Sequence, residues 1–183
     1  MAKTVIISGH PHLDQSLANK TILEELEKLL PEADIRYLDQ KYPDGIFDVE
    51  AEQKALAEAD TIVFQFPVYW YAYPALLKKY VEDVFTHGFA YGTEGTVLRG
   101  KRLLISCTVG SAQENYGEGK LFNHSMETFL FPAQQLAALC GMIYERPLCE
   151  FGMMYIPGLS TDEDKERIMK ACRVHAEKLA QKV

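Results

Sequence analysis

Ser16-Leu17-Ala18-Asn19 follows a β-branched run and opens a segment with helix-spaced apolar residues. A strand that turns into a helix leaves backbone N–H groups free at the helix start. It also aims the positive end of the helix dipole at the turn, which suits a phosphate. The turn spans Gly9 to Asn19, with Ser16 supplying a hydroxyl and His10 a candidate cationic donor. It is neither the GxxxxGK[ST] phosphate loop nor the GxGxxG dinucleotide turn. A capped helix after an ordinary turn would use the same residues, so this stretch alone supports either reading.

A second stretch, Phe66-Pro67-Val68-Tyr69-Trp70-Tyr71-Ala72-Tyr73-Pro74, places four aromatics in five residues between two prolines. Aromatics are usually core residues. Here they follow an apolar strand, where a flat aromatic ligand would meet stacking faces and backbone donors. The third stretch, Thr108-Val109-Gly110-Ser111 running on to Tyr116 and Gly117, is small and polar after another apolar strand. Such a loop can hydrogen-bond the edge of a ring, or simply face solvent.

Other chemistries lack their residues. There is no GxSxG nucleophile elbow and no HExxH pair. His12, His87, His124 and His175 have no metal-ligand spacing, and no metal is expected. Cys107, Cys140, Cys149 and Cys172 form no CxxC pair and read as reduced, buried thiols.

The elements around these loops alternate. Strands are expected over Lys3–Ser8, Ala33–Leu38, Asp60–Phe66, Arg102–Thr108 and Met142–Tyr144, the last resuming through Phe151. Helices are expected over Ser16–Leu30, Asp48–Glu58, Pro74–Phe85, Pro132–Cys140 and Thr161–Val183. Ser160 with Glu163 resembles a capping box for the last one. This order predicts an α/β fold, a doubly wound five-stranded parallel sheet of order 2-1-3-4-5 with helices on both faces. Ligands in such sheets bind beyond the carboxyl ends of the strands, where all three loops would converge.

The chain has 183 residues and reads as one domain over 1–183. Its net charge of -7 makes it a poor electrostatic match for nucleic acid or anionic lipid. No apolar run approaches the ~20 residues of a spanning helix, and the first residues read as a strand rather than a signal peptide. A cytoplasmic protein is expected. The stripe Tyr80 to Phe85 and the apolar loop Gly88-Phe89-Ala90-Tyr91-Gly92 suggest a homodimer.

Together, His10-Pro11, Ser16-Leu17-Ala18-Asn19, Pro67-Val68-Tyr69-Trp70-Tyr71 with Pro74-Ala75-Leu76-Leu77-Lys78, and Phe85-Thr86-His87-Gly88-Phe89-Ala90-Tyr91-Gly92 resemble the flavodoxin-like NAD(P)H:quinone oxidoreductase family. The similarity runs from Val5 to about Pro147, and Phe66 to Gly92 is its most specific part. Within the family the chain resembles bacterial members that include ancillary proteins of glutathione-regulated potassium efflux systems.

The resemblance implies a flavin reductase that uses FMN in preference to FAD, with NADPH or NADH as donor and a quinone-like acceptor. By the family pattern, His10, Ser16, Leu17, Ala18 and Asn19 would hold the phosphate. Pro67, Val68, Tyr69, Trp70 and Tyr71 would hold the isoalloxazine ring, and Thr108, Val109, Gly110 and Ser111 would flank its polar edge. The family's usual Thr-Thr-Gly-Gly is Thr108-Val109-Gly110-Ser111 here. Larger animal members pair a Tyr with a His six residues on. Tyr116 matches the Tyr, but Phe122 stands at the His position, so only Tyr116 is carried over as a donor to the acceptor. Two other readings remain: a regulatory module that docks on a potassium-efflux membrane protein at the inner face of the cell membrane, and a flavodoxin-type electron carrier.

Overall fold

The computed structural model describes residues 3–183. Strands β1 (Thr4–Ser8), β2 (Asp34–Tyr37), β3 (Thr61–Pro67) and β4 (Arg102–Thr108) pair in parallel, in the spatial order β2-β1-β3-β4. Beyond β4 lie β5 (Ile143–Tyr144) and β6 (Leu148–Glu150), and both pair with β4. They are two pieces of one edge strand. The Glu145 N–H still reaches the Leu103 carbonyl, but Pro147 has no N–H to offer, and pairing resumes only at Leu148 opposite Ser106. The expected sheet order 2-1-3-4-5 is present, with its fifth strand interrupted.

Every residue of β3 is buried, as its continuous apolar run implied. One face of the sheet packs on α1 (Leu17–Leu29) and α7 (Asp162–Ala180), through Ile6, Val63 and Leu104 against Ile22, Leu26, Ile168 and Cys172. The other face packs on α3 (Val49–Glu58), α4 (Ala75–Val84) and α6 (Phe131–Leu139), through Ile62, Phe64 and Ile105 against Leu56, Leu77 and Ala133. Two further helical turns, α2 (Leu38–Lys41) and α5 (Met126–Phe129), were not expected from periodicity.

The caps explain where the helices begin. Ser16 Oγ accepts the Asn19 N–H at the start of α1, and Asp48 Oδ1 accepts the Ala51 N–H at the start of α3. The capping box of α7 lies one residue later than the sequence suggested. Thr161 and Asp164 exchange side-chain to backbone hydrogen bonds, while Ser160 Oγ turns back to the Ile156 N–H.

Glu52 reads from the sequence as one more charge on a polar helix, yet it is fully buried. Arg36 holds both its oxygens at 2.6 Å, and Lys41, Tyr42 and Tyr80 complete the set at 3.0, 2.5 and 3.2 Å. The ion cluster anchors α3 to β2, α2 and α4.

Candidate functional site

The three loops singled out in the sequence meet at the carboxyl ends of β1, β3 and β4. Between them lies an open cleft of about 440 Å³. His10, Ser16, Leu17, Ala18, Asn19, Pro67, Val68, Tyr69, Thr108 and Gly110 all line it. Gly9 must be glycine for the first loop to take its path, because a Cβ there would sit 2.7 Å from the Leu77 side chain of α4.

On the first loop, the Ser16 and Gln15 N–H groups close the short 3₁₀ turn over Leu13–Gln15. The N–H groups of Leu17 and Ala18 open α1 with no carbonyl partner among the described residues. These two donors and the Ser16 hydroxyl face the cleft at the positive end of the helix. Asn19 plays a different part. It is buried, its Nδ2 donates to Thr108 Oγ1 at 2.9 Å, and its Oδ1 accepts from Gln65 Nε2 at 2.9 Å. Gln65 continues to Ser106 at 2.5 Å, and Ser106 to His175 Nε2 at 2.7 Å. A buried polar chain thus ties the floor of the cleft to β3, β4 and α7.

His10 sits where the neutral ring is favoured. It is buried, and its Nδ1 accepts the His12 N–H at 3.0 Å. The ring proton therefore sits on Nε2, which faces the Tyr69 hydroxyl at 3.3 Å. Burial pushes the imidazole below its ordinary value, against the pull of Asp39. That direction runs against the cationic donor considered from the sequence.

The second loop turns tightly. Tyr69 and Ala72 exchange both backbone hydrogen bonds at 3.1 Å, with Trp70 and Tyr71 between them at φ of 47° and 64°. That is the two-residue reversal of the I′ kind, which needs positive φ at both central positions. It sends Trp70 into solvent, 92% exposed. The Val68 N–H is spent on the Thr108 carbonyl and the Tyr69 N–H on Ala72. The Trp70 and Tyr71 N–H groups, like that of Tyr73, have no backbone partner among the described residues.

The third loop divides likewise. Val109 points into the core, and its N–H is taken by the Glu150 carbonyl. The Gly110 and Ser111 N–H groups have no backbone partner among the described residues. Ser111 Oγ accepts from Asn115 Nδ2 at 2.8 Å, a bond that holds the loop shape. Trp70, Tyr71, Val109 and Ser111 do not line the cleft itself. Nor does Tyr116, which lines a neighbouring cleft. Tyr71 and Tyr116 both pack on Phe122 and Phe129, with ring centroids 4.7 to 6.3 Å apart, so one aromatic cluster joins the second and third loops.

The sequence reading missed part of the wall. Gln15 and His12 were inside the first loop but were given no role. Met153, Met154 and Tyr155 close the cleft on the side of β6. Their signal was present, since a fifth parallel strand must also end at this edge of the sheet.

A family model described as flavodoxin-like fold matches residues 2–179. The chain belongs to that family. It is 39% identical over 169 residues to the uncharacterized NAD(P)H oxidoreductase YrkL of Bacillus subtilis, covering 91% of this chain and 95% of that protein. It is 40% identical over 143 residues to the glutathione-regulated potassium-efflux system ancillary protein KefF of Enterobacter sp., covering 78% and 80%. Among solved structures, the general stress protein 14 of Treponema denticola in complex with FMN superposes with a TM-score of 0.87 at 28% identity, over 97% of each chain. An NADPH-quinone reductase from P. pentosaceus superposes with a TM-score of 0.75 at 25% identity, over 96% of this chain and 98% of that one.

Proposed function

We propose that this protein is an FMN-dependent NAD(P)H oxidoreductase that passes two electrons to a quinone or similar acceptor. The observation that carries the reading is one cleft walled by three loops at the carboxyl ends of β1, β3 and β4. Among the backbone donors there without backbone partners are Leu17, Ala18 and Gly110 on its wall and Trp70, Tyr71 and Ser111 beyond it on the same loops. Two of them cap a helix, where a phosphate fits. The other four lie on the two loops where the polar edge of a flat ring would need donors. The FMN of the general stress protein 14 complex and the names of YrkL and the P. pentosaceus reductase support the same assignment.

Bound here, FMN would supply hydride chemistry between NAD(P)H and the acceptor. The chain itself binds and orients. Ser16, Leu17 and Ala18 hold the phosphate, and neutral His10 braces Tyr69 beside it. Pro67, Val68 and Tyr69 form the wall against the ring, and Thr108 is kept in register by Asn19. The Trp70, Tyr71, Gly110 and Ser111 N–H groups favour negative charge at the ring edge. Tyr116 is the side-chain donor for the acceptor, reached through the aromatic cluster with Tyr71.

The apolar stripe expected to pair two copies is core instead, with Tyr80, Val84, Phe85 and Ala90 buried against the sheet. A homodimer would have to use other apolar surface, such as exposed Trp70, Leu121, Phe131, Leu139 and Ile143. No helix among the described residues is long and apolar enough to cross a membrane. The working location is the cytoplasm. The likeness to KefF favours a second role, docking on a potassium-efflux protein at the inner face of the membrane.

The purified protein should show a visible flavin spectrum, release FMN on denaturation, and oxidise NADH or NADPH only when a quinone is present. A colourless protein that gains no flavin on incubation with FMN would overturn the proposal.

A further inference from the structure

Cys107 on β4 and Cys149 on β6 are register partners in adjacent parallel strands, and their sulfurs lie 3.4 Å apart. Strand spacing of roughly 4.8 Å falls inside the roughly 4.4–6.8 Å Cα separation that a disulfide spans. Both side chains point to the same face of the sheet, so a bond needs the sulfurs to approach without a change of register. The two differ in access. Cys107 is fully buried, whereas Cys149 is partly exposed and lines a second cleft of about 420 Å³ with Tyr116, Arg146 and Phe151.

We propose that Cys107 and Cys149 are a redox-active dithiol, with Cys149 the sulfur that meets a peroxide in this second cleft and Cys107 the one that resolves it. The Cys149 thiolate attacks one peroxide oxygen. The S–O bond forms, the O–O bond breaks, and the departing oxygen leaves as water after taking a proton. Cys107 then gives up its proton and attacks the Cys149 sulfur. The S–S bond forms and the S–O bond breaks, releasing a second water. Two thiols are oxidised and one hydrogen peroxide is reduced to two waters.

The assignment of roles follows the hydrogen bond. The Cys107 thiol donates to the Cys149 sulfur. That contact draws the Cys149 thiol below the ordinary cysteine value, against the effect of burial. The same contact, with complete burial, pushes Cys107 well up. A lowered, reachable thiol beside a raised, sheltered one is the division of labour between an attacking and a resolving cysteine. Cys140 and Cys172, both pushed up by burial, have no cysteine within reach among the described residues. None of this needs a bound flavin; the one residue shared with the reductase reading is Tyr116, on the wall of the second cleft.

The test treats the purified protein as isolated with hydrogen peroxide, blocks remaining thiols in denaturant, and maps peptides by mass spectrometry. The expected result is a Cys107–Cys149 cross-linked peptide that dithiothreitol reverses, with Cys140 and Cys172 still alkylated. The Cys107→Ala variant should instead accumulate Cys149 sulfenic acid, trapped by dimedone. In Cys149→Ser, Cys107 should stay reduced. Wild-type Cys149 should be consumed about tenfold faster than Cys172, as expected for the more accessible, more ionised thiol. All four thiols surviving peroxide, or a cross-link through Cys140 or Cys172, would overturn it. So would oxidation of Cys107 in Cys149→Ser. Circular dichroism of each variant verifies that its fold is intact.

Discussion

Asn19 Nδ2 donates to the Thr108 hydroxyl at 2.9 Å, across 89 residues of chain. That bond fixes the first turn of α1 against the end of β4, so the first and third loops of the cleft are tied together. Replacing Asn19 with Ala leaves the Gln65 amide and the Thr108 hydroxyl buried without this partner. A loss of about 1–3 kcal/mol is expected for such an orphaned group. Urea unfolding of the apoprotein measures it, and an unchanged midpoint would mean that water replaces the amide.

Ser16→Asp should weaken FMN binding by at least about tenfold, or ~1.4 kcal/mol. A carboxylate there still caps α1, as Asp48 caps α3, so stability should hold. Its charge, however, would sit beside the phosphate. Flavin fluorescence titration separates the two effects. Equal affinity for both proteins would put the phosphate elsewhere.

Glu52 gives a pH prediction. Burial raises its carboxyl, but hydrogen bonds from Arg36, Tyr42 and Lys41 outweigh this and leave it below the ordinary glutamate value. A folded value below the unfolded one means that its stabilisation is present above about pH 4.3 and fades as pH falls through the folded value. Glu52→Ala should cost roughly 1–3 kcal/mol near neutrality, since it leaves the buried Tyr42 and Tyr80 hydroxyls without their acceptor, while Arg36 keeps Asp34 at 2.8 Å and Lys41 reaches solvent. The gap between variant and parent should narrow in acid. A gap that stays constant from pH 7 to pH 3 would show that the carboxylate charge is not what matters.

Tyr116→Phe should slow quinone reduction by roughly ten- to a hundred-fold at most, as for loss of one donor. Its aromatic packing on Phe122 and Phe151 is retained, so FMN content should not change. His124→Ala should do less, because that ring packs edge-on against Phe129. Near-total loss of turnover in the His124 variant with FMN still bound would relocate the proton donor. Parallel double-reciprocal plots for NAD(P)H and quinone are expected if both substrates use one place in turn.

The element order and the three converging loops were legible because strand and helix periodicities differ and because a doubly wound sheet puts its loops at one edge. What escaped the sequence was long-range. Glu52 looked like a solvated charge, because its partners come from elsewhere in the chain: Arg36 from β2, Lys41 from α2, Tyr42 from the cap just past α2, and Tyr80 from α4. Val109 looked like a ligand-edge residue, because loop position does not tell which way a side chain turns. The break at Pro147 was readable in principle, yet only the ladder reveals that pairing resumes on the same neighbour. The capping box moved by one residue because Ser160 and Thr161 are both competent caps, and the chain's path from Ile156 decides between them.

Trp70 and Tyr71 occupy the two positive-φ positions of a reversal that Asn-Gly would make without strain. L-residues with a Cβ give up about 1–2 kcal/mol each to hold that shape. Heat-resistance screens run without an activity readout would therefore be expected to drift toward small residues here. Variants enriched that way would melt later and lose the aromatic prow of the second loop. This tip would act as a ratchet between durability and turnover, and a consensus-style stabilisation campaign would do well to hold positions 70 and 71 fixed.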